Sequence, residues 1–229
     1  MSPDNQPGTR PLRRPAARRL AGLSFLHLAP ADWVTLGSLA LACASLHSAL
    51  QERLSLAIAL MVLAMLTDML DGPVARRSSG PRPFGMQLDS FIDVFVYLMA
   101  PALILYQLGQ GDSLSLVGLL AYCAAGVLRL SHFNLVGAEP DERRPGVTRH
   151  VGLPVIWSQL LVALAFPAWQ AWGPAVRPVI AVILLIQSVL MVSQLRFRKL
   201  TWYLPQALLI LAVAGAYLAL HLQLSLIHI

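Results

Sequence analysis

Four aspartates, Asp68, Asp71, Asp89 and Asp93, interrupt an otherwise apolar part of the chain. On a helix, the first two are three residues apart and the last two are four apart, so each pair shares one helix face. Like charges at these spacings repel one another, and an ionised carboxylate inside a bilayer costs about 2.5–3.5 kcal/mol. A positive partner must therefore compensate them. A divalent cation is the simplest candidate, because Mg²⁺ and Mn²⁺ prefer carboxylate oxygens.

Small residues and an arginine surround the first pair of aspartates. Gly72 follows Asp71 directly and lies one helical turn after Asp68, Ala75 lies about one turn further, and Arg76 comes next. The small size of Gly72 and Ala75 would let a phosphorylated ligand approach the backbone, and the guanidinium of Arg76 would suit phosphate oxygens. Three or four converging carboxylates can hold two divalent ions about 4 Å apart, an arrangement that serves phosphoryl displacement. These residues predict a site for a metal-bound diphosphate. Spacing alone leaves a cation or proton pathway in a transporter as the alternative.

The composition is that of an integral membrane protein. Of the 229 residues, 57% are hydrophobic and only 12% are charged, and the mean hydropathy is +0.65. We predict an all-α, polytopic transmembrane bundle of six to eight spans, about seven in this chain. The predicted spans are 33–50, 54–75, 86–108, 113–136, 152–172, 178–195 and 203–222.

The net charge of +6 reflects membrane topology. Fourteen of the seventeen basic residues lie in the N-terminal segment and in three loops, all on one side of the predicted spans. Because basic loops stay in the cytoplasm, we expect the N-terminus and the aspartates to face the cytoplasm of a bacterial-type cell membrane. This distribution argues against nucleic acid as a partner.

The chain divides into one large unit and two small end segments. Residues 1–20 are expected to be a disordered basic arm, and 21–223 a single transmembrane catalytic domain that opens with a segment, 21–31, along the interface. We interpret residues 224–229 as a non-native tail, so that the natural chain would continue past about residue 223.

The aspartate region resembles the CDP-alcohol phosphotransferase family. The family pattern is Asp-x₂-Asp-Gly-x₂-Ala-Arg-x₈-Gly-x₃-Asp-x₃-Asp, and its eight fixed positions are filled by Asp68, Asp71, Gly72, Ala75, Arg76, Gly85, Asp89 and Asp93. The resemblance implies that Asp68, Asp71 and Asp89 bind metal ions, and that Asp93 is the general base on the incoming alcohol and a further metal ligand. It also implies that the CDP moiety is bordered by Asp68, Gly72, Ala75, Arg76 and Gly85.

Two downstream blocks look like the phosphatidylserine synthase branch of that family. The first, Arg129-Leu130-Ser131-His132-Phe133-Asn134, departs from the branch at His132, where a second arginine is common, and Gly152-Leu153-Pro154 follows it. Arg129 is a cation within a predicted span, so it either binds substrate phosphate or carboxylate or pairs with an aspartate. The candidate residues for the acceptor or its phosphate are Arg129, His132, Asn134 and Arg149.

The resemblance implies a metal-dependent transferase of phospholipid synthesis. CDP-diacylglycerol would be the donor, L-serine the acceptor, two Mg²⁺ or Mn²⁺ ions the cofactors, and a homodimer the usual assembly. Other branches use glycerol 3-phosphate or an inositol phosphate, or a CDP-amino alcohol with diacylglycerol, and these remain alternatives. A cation transporter and an inactive scaffold are the alternative hypotheses from other functional classes.

Overall fold

The computed structural model describes residues 28–75, 83–137, 139–140, 148–198 and 203–227. Within these ranges the chain is an all-α membrane bundle, as predicted. The helices are α1 (Pro30–Leu50), α2 (Leu54–Ala75), α3 (Pro83–Asp93), a π-helix (Val94–Met99), α4 (Ala100–Gln107), α5 (Ser113–Val136), α6 (Trp157–Trp172), a 3₁₀ turn (Gly173–Val176), α7 (Arg177–Val192) and α8 (Tyr203–Ile227).

Three short strands supplement the helices. They are β1 (Glu139–Pro140), β2 (Thr148–Val151) and β3 (Arg196–Arg198), and they form an antiparallel sheet in the order β1-β2-β3. The sheet moves two helix boundaries away from their predicted positions. The fifth span begins at Trp157 and not at 152, because residues up to Val151 pair with β3. The sixth ends at Val192 and not at 195, because the chain then extends into β3.

The predicted end segments are only partly covered by the described residues. The arm 1–20 and most of the segment 21–31 lie outside the described residues, and α1 already begins at Pro30. Proline suits this first helical position because its fixed φ fits the helix and its missing N–H would have no partner there. Helix α8 continues to Ile227, past the predicted end of the last span at 222.

Helices α1 and α2 pack closely along a face of small residues. Small buried residues recur every three or four positions along α1: Ala31, Thr35, Ser38, Ala42, Ser45 and Ala49. In a bilayer, small residues let helix backbones approach each other, and dispersion and polar contacts then hold them together. The Ser45 hydroxyl donates a hydrogen bond to the Ala57 carbonyl of α2, with 2.7 Å between the two oxygens. This close pairing fixes α2, which carries two of the aspartates, against α1.

Helices α6 and α7 form a hairpin. Six described helical segments are long and apolar enough to cross a membrane, and the longest, Trp157–Val192, has 36 residues. A straight helix of that length would span about 54 Å, well beyond a hydrocarbon core of about 30 Å. Its two ends instead lie side by side, because β2 pairs with β3 and the Gly152 N–H donates to the Leu195 carbonyl. The segment therefore crosses twice, and the described chain makes seven crossings.

Gly152 closes this hairpin at a crowded turn. Its φ is +76°, and a Cβ there would lie 2.3 Å from the backbone oxygen of Met191. Gly137, at the end of α5, has a similar φ of +74°, but no atom of the described residues lies within 4 Å of an added Cβ. We predict that Gly152→Ala destabilises the protein by about 1–3 kcal/mol more than Gly137→Ala, because backbone strain is common to both and overpacking is not. Thermal unfolding in one detergent tests this, and equal melting temperatures for the two variants would contradict it.

Candidate active site

Three of the four predicted aspartates converge at one end of the bundle. One carboxylate oxygen from each of Asp68, Asp71 and Asp89 lies within 4.8 Å of the other two, and all three residues are half-buried. Asp68 and Asp71 stand on the last two turns of α2, and Asp89 stands on the second turn of α3. Only seven residues, 76–82, separate these helices in the sequence, and the aspartate-bearing ends of the two helices lie together, as the sequence spacing predicted.

The fourth aspartate, Asp93, is the last residue of α3 and lies one turn deeper than Asp89. Its side chain lies within hydrogen-bonding reach of Asp68. Two ionised carboxylates cannot donate to each other, so this contact needs a proton or a cation between them. The structure thus gathers all four predicted aspartates into one cluster.

Two hydroxyl groups from other helices orient the carboxylates. The Tyr97 hydroxyl donates to Oδ2 of Asp68 at 2.6 Å, and the Thr35 hydroxyl of α1 lies 2.8 Å from Oδ2 of Asp71. Sequence reasoning missed both residues. The sequence could have indicated Tyr97, because this residue lies four positions after Asp93 and therefore continues the helix face formed by Asp89 and Asp93. Nothing in the sequence indicated Thr35, since it is 36 residues from its partner Asp71.

The cluster fits a divalent cation. Oδ1 of Asp68 is buried and has no hydrogen-bond donor in the part of the chain that the structure describes. A buried charged oxygen without a donor is costly, and a cation is one way to satisfy it. Among the residues that the structure describes, the cluster offers carboxylate oxygens and no cysteine or histidine, which is a donor set for a hard ion such as Mg²⁺ or Mn²⁺. Asp68, Asp71 and Asp89 are therefore the residues that could hold such an ion.

The predicted CDP-binding residues are partly within the described chain. Gly72 and Ala75 lie on α2, one helical turn after Asp68 and Asp71 respectively, and both are half-buried. Gly85 lies on the first turn of α3, four residues before Asp89. Because residues four apart share a helix face, these positions border the cluster with little side-chain bulk. Arg76 lies outside the described residues.

The four acceptor candidates differ in burial and in contacts. Arg129 is buried on α5, its Nε has no hydrogen-bond partner in the described chain, and its guanidinium carbon lies 5.6 Å from the centre of the Phe133 ring. Asn134 accepts a hydrogen bond of 2.7 Å from Ser90, the neighbour of Asp89 in the chain. His132 is exposed, and for Arg149 only the backbone, in β2, is described. The structure thus joins Asn134 to Ser90 of α3, leaves Arg129 buried beside Phe133, and places His132 on an exposed surface.

Comparisons with known proteins show the family of this chain. Residues 28–226 match the family model for CDP-alcohol phosphatidyltransferase. Among curated relatives, CDP-diacylglycerol–serine O-phosphatidyltransferase of Methanocaldococcus jannaschii is 28% identical over 160 residues, which cover 68% of this chain and 72% of the relative. The protein of the same name from Helicobacter pylori is 29% identical over 196 residues, covering 81% and 79%. Phosphatidylcholine synthase of Agrobacterium fabrum is 29% identical over 173 residues, covering 70% and 66%.

Proposed function

Since this chain belongs to the CDP-alcohol phosphatidyltransferase family, we propose that it transfers the phosphatidyl group of CDP-diacylglycerol to the hydroxyl of L-serine and releases CMP. The observation that carries the proposal is the convergence of three carboxylate oxygens, within 4.8 Å of one another, beside two small residues of α2. Such a cluster at the end of a membrane bundle can be reached by a polar headgroup, while the acyl chains stay in the bilayer.

The donor diphosphate would be held through two Mg²⁺ or Mn²⁺ ions. We assign Asp68, Asp71 and Asp89 as their ligands, with Asp93 as a further one, and Gly72, Ala75, Arg76 and Gly85 as the border of the CDP moiety. When bound, such ions neutralise the negative charge of the diphosphate and of the leaving phosphate. The unpartnered Oδ1 of Asp68 supports this assignment.

Asp93 would serve as the general base. In the proposed reaction the serine hydroxyl gives its proton to the Asp93 carboxylate, and the serine oxygen forms a bond to the phosphorus that carries diacylglycerol. The bond from that phosphorus to the bridging oxygen breaks, and its electron pair leaves with CMP. The position of Asp93 supports this role, since it adjoins Asp68 but does not belong to the group of three converging oxygens.

Serine is the acceptor best supported by the names of the relatives. Two of the relatives above are named for serine, and Arg129 supplies a cation that could bind the serine carboxylate. Asn134, held by Ser90 next to Asp89, is a second polar group for the acceptor. We keep His132 and Arg149 as weaker candidates, because His132 is exposed and differs from the branch pattern.

The remaining parts of the proposal concern the cellular setting. The chain is an integral membrane protein, and the aspartates lie at the ends of α2 and α3 that adjoin the basic segment 76–82 in the sequence. By the positive-inside rule, those ends would face the cytoplasm of a bacterial-type membrane. A homodimer is the proposed assembly.

The acceptor is tested with the purified protein in detergent containing CDP-diacylglycerol and Mn²⁺. We predict that L-serine stimulates CMP release at least about tenfold over glycerol 3-phosphate, inositol phosphate, choline or no acceptor, because a site built for one polar acceptor leaves buried groups unpaired with another. If choline or glycerol 3-phosphate stimulated CMP release and serine did not, the protein would belong to a different branch of the family. Ion flux in liposomes without CMP would indicate a transporter, and CDP-lipid binding without CMP would indicate a scaffold.

A further inference from the structure

The third membrane span contains a π-helix directly after Asp93. It covers Val94–Met99, and the Ala100 N–H donates to the carbonyl of Phe95, five residues earlier. A π-helix leaves backbone carbonyls out of the regular ladder, and these segments occur frequently at functional sites. In a membrane span such a carbonyl needs a donor from a neighbouring helix, because lipid offers none.

Neighbouring helices supply those donors here. The Gln159 amide donates to the Val96 carbonyl at 2.9 Å, and the Tyr122 hydroxyl donates to the Tyr97 carbonyl. The Ser158 hydroxyl lies 3.0 Å from the same Tyr97 carbonyl and 2.7 Å from the Val155 carbonyl. Tyr122, Ser158 and Gln159 are at most 1% exposed. Polar side chains of α5 and α6 thus fix the backbone at Tyr97.

The Tyr97 side chain connects this fixed backbone to the aspartate cluster. It is only 5% exposed, and its hydroxyl donates to Oδ2 of Asp68 at 2.6 Å. That length is typical of a strong O–H···O⁻ hydrogen bond. The bond occupies one oxygen of Asp68, while Oδ1 has no donor in the described chain. The carboxylate is therefore oriented by a hydrogen bond to Oδ2 and not to Oδ1.

We propose that Tyr97 is a positioning residue for the cation site. It holds Asp68 by Oδ2 so that Oδ1 points to the cation, and Tyr122 holds Tyr97 in turn through the π-helical carbonyl. This inference rests on the proposed function, because it requires that Asp68 binds a divalent ion. Without the tyrosine hydroxyl, the Asp68 carboxylate loses its donor and is free to rotate. Loss of the hydrogen-bond partner of a metal ligand typically weakens metal binding about 10–100-fold.

The test measures Mn²⁺ binding directly, from the electron paramagnetic resonance signal of free Mn²⁺, with the full chain in detergent. We expect Tyr97→Phe to raise the dissociation constant at least about tenfold, and Tyr122→Phe to raise it less. Tyr217→Phe is the matched control, because it also removes a tyrosine hydroxyl that joins two helices, here a half-buried one that donates to the Ala163 carbonyl at 2.5 Å between α8 and α6. Its Mn²⁺ affinity should equal that of the unmodified protein. At saturating Mn²⁺, Tyr97→Phe should recover most of its CMP release, as expected for a positioning residue.

The outcomes separate this inference from the proposed function. If the unmodified protein binds no Mn²⁺, the metal site fails and the role of Tyr97 fails with it. If the unmodified protein binds Mn²⁺ and Tyr97→Phe binds it equally well, only the role of Tyr97 is overturned. Gel filtration and melting without Mn²⁺ report whether each variant folds. If Tyr97→Phe does not fold, Tyr122→Phe decides, and unchanged Mn²⁺ affinity in that variant overturns the inference.

Discussion

Asp93→Asn is expected to lower CMP release by about 10²–10⁴-fold, the range that a general base contributes. Asparagine has nearly the size and shape of aspartate but cannot accept the proton of the acceptor hydroxyl. Because Asp68, Asp71 and Asp89 form the converging group without Asp93, CDP-diacylglycerol should still bind. The combination of lost turnover and retained binding distinguishes a base from a residue that only holds the donor.

The experiment compares turnover and donor binding in the same preparations. Asp112→Asn is the matched control: it makes the same chemical change at the opposite end of the bundle, where Asp112 caps α5 by accepting from Ser115. Asparagine also caps helices well, so this variant should keep both turnover and stability. Turnover by Asp93→Asn close to that of the unmodified protein would remove the base assignment. Loss of donor binding together with turnover would make Asp93 mainly a ligand.

Asp71→Ala is expected to abolish metal-dependent binding of the nucleotide. The change removes one of three converging carboxylates, so metal affinity should fall by more than the roughly 10–100-fold that loss of an outer hydrogen-bond partner costs. The fold should persist, because the Thr35 hydroxyl also lies 3.0 Å from the Ala31 carbonyl and keeps an acceptor when Asp71 is removed. The loss would therefore report on the site and not on unfolding.

CDP binding is measured over a Mn²⁺ titration for Asp71→Ala and the unmodified protein. The unmodified protein treated with a chelator should behave like the variant without chelation. A Thr35→Val variant, which keeps the carboxylate but removes its hydroxyl partner, should lie between the two. Nucleotide binding by Asp71→Ala at low Mn²⁺, with the affinity of the unmodified protein, would contradict the ligand role.

The sequence predicted the features that depend on local spacing. Hydropathy placed 54–75 and 113–136 where α2 and α5 lie, and the spacing of Asp68, Asp71 and Asp89 predicted a shared cluster. Both signals are strong because a membrane span has a fixed length and because residues three or four apart share a helix face.

Features that depend on distant partners could not be predicted. Thr35 reaches Asp71 across a separation of 36 residues and stands in no motif. The position of Tyr97, four residues after Asp93, indicated its helix face but not its partner Asp68, 29 residues away. The π-helix after Asp93 depends on donors such as Gln159, 63 residues away from its acceptor. The late start of α6 follows from pairing between β2 and β3, which hydropathy does not register. In each case the information lies in contacts between distant segments and not in any one segment.

The most direct test of the central claim is a Mn²⁺ titration of the chelator-treated protein with CDP-diacylglycerol and L-serine, in which CMP and phosphatidylserine are quantified together. The account predicts that neither product forms without a divalent ion, and that both appear in equal amounts as Mn²⁺ is added. Products formed at the same rate without a divalent ion, or CMP formed without phosphatidylserine, would contradict it.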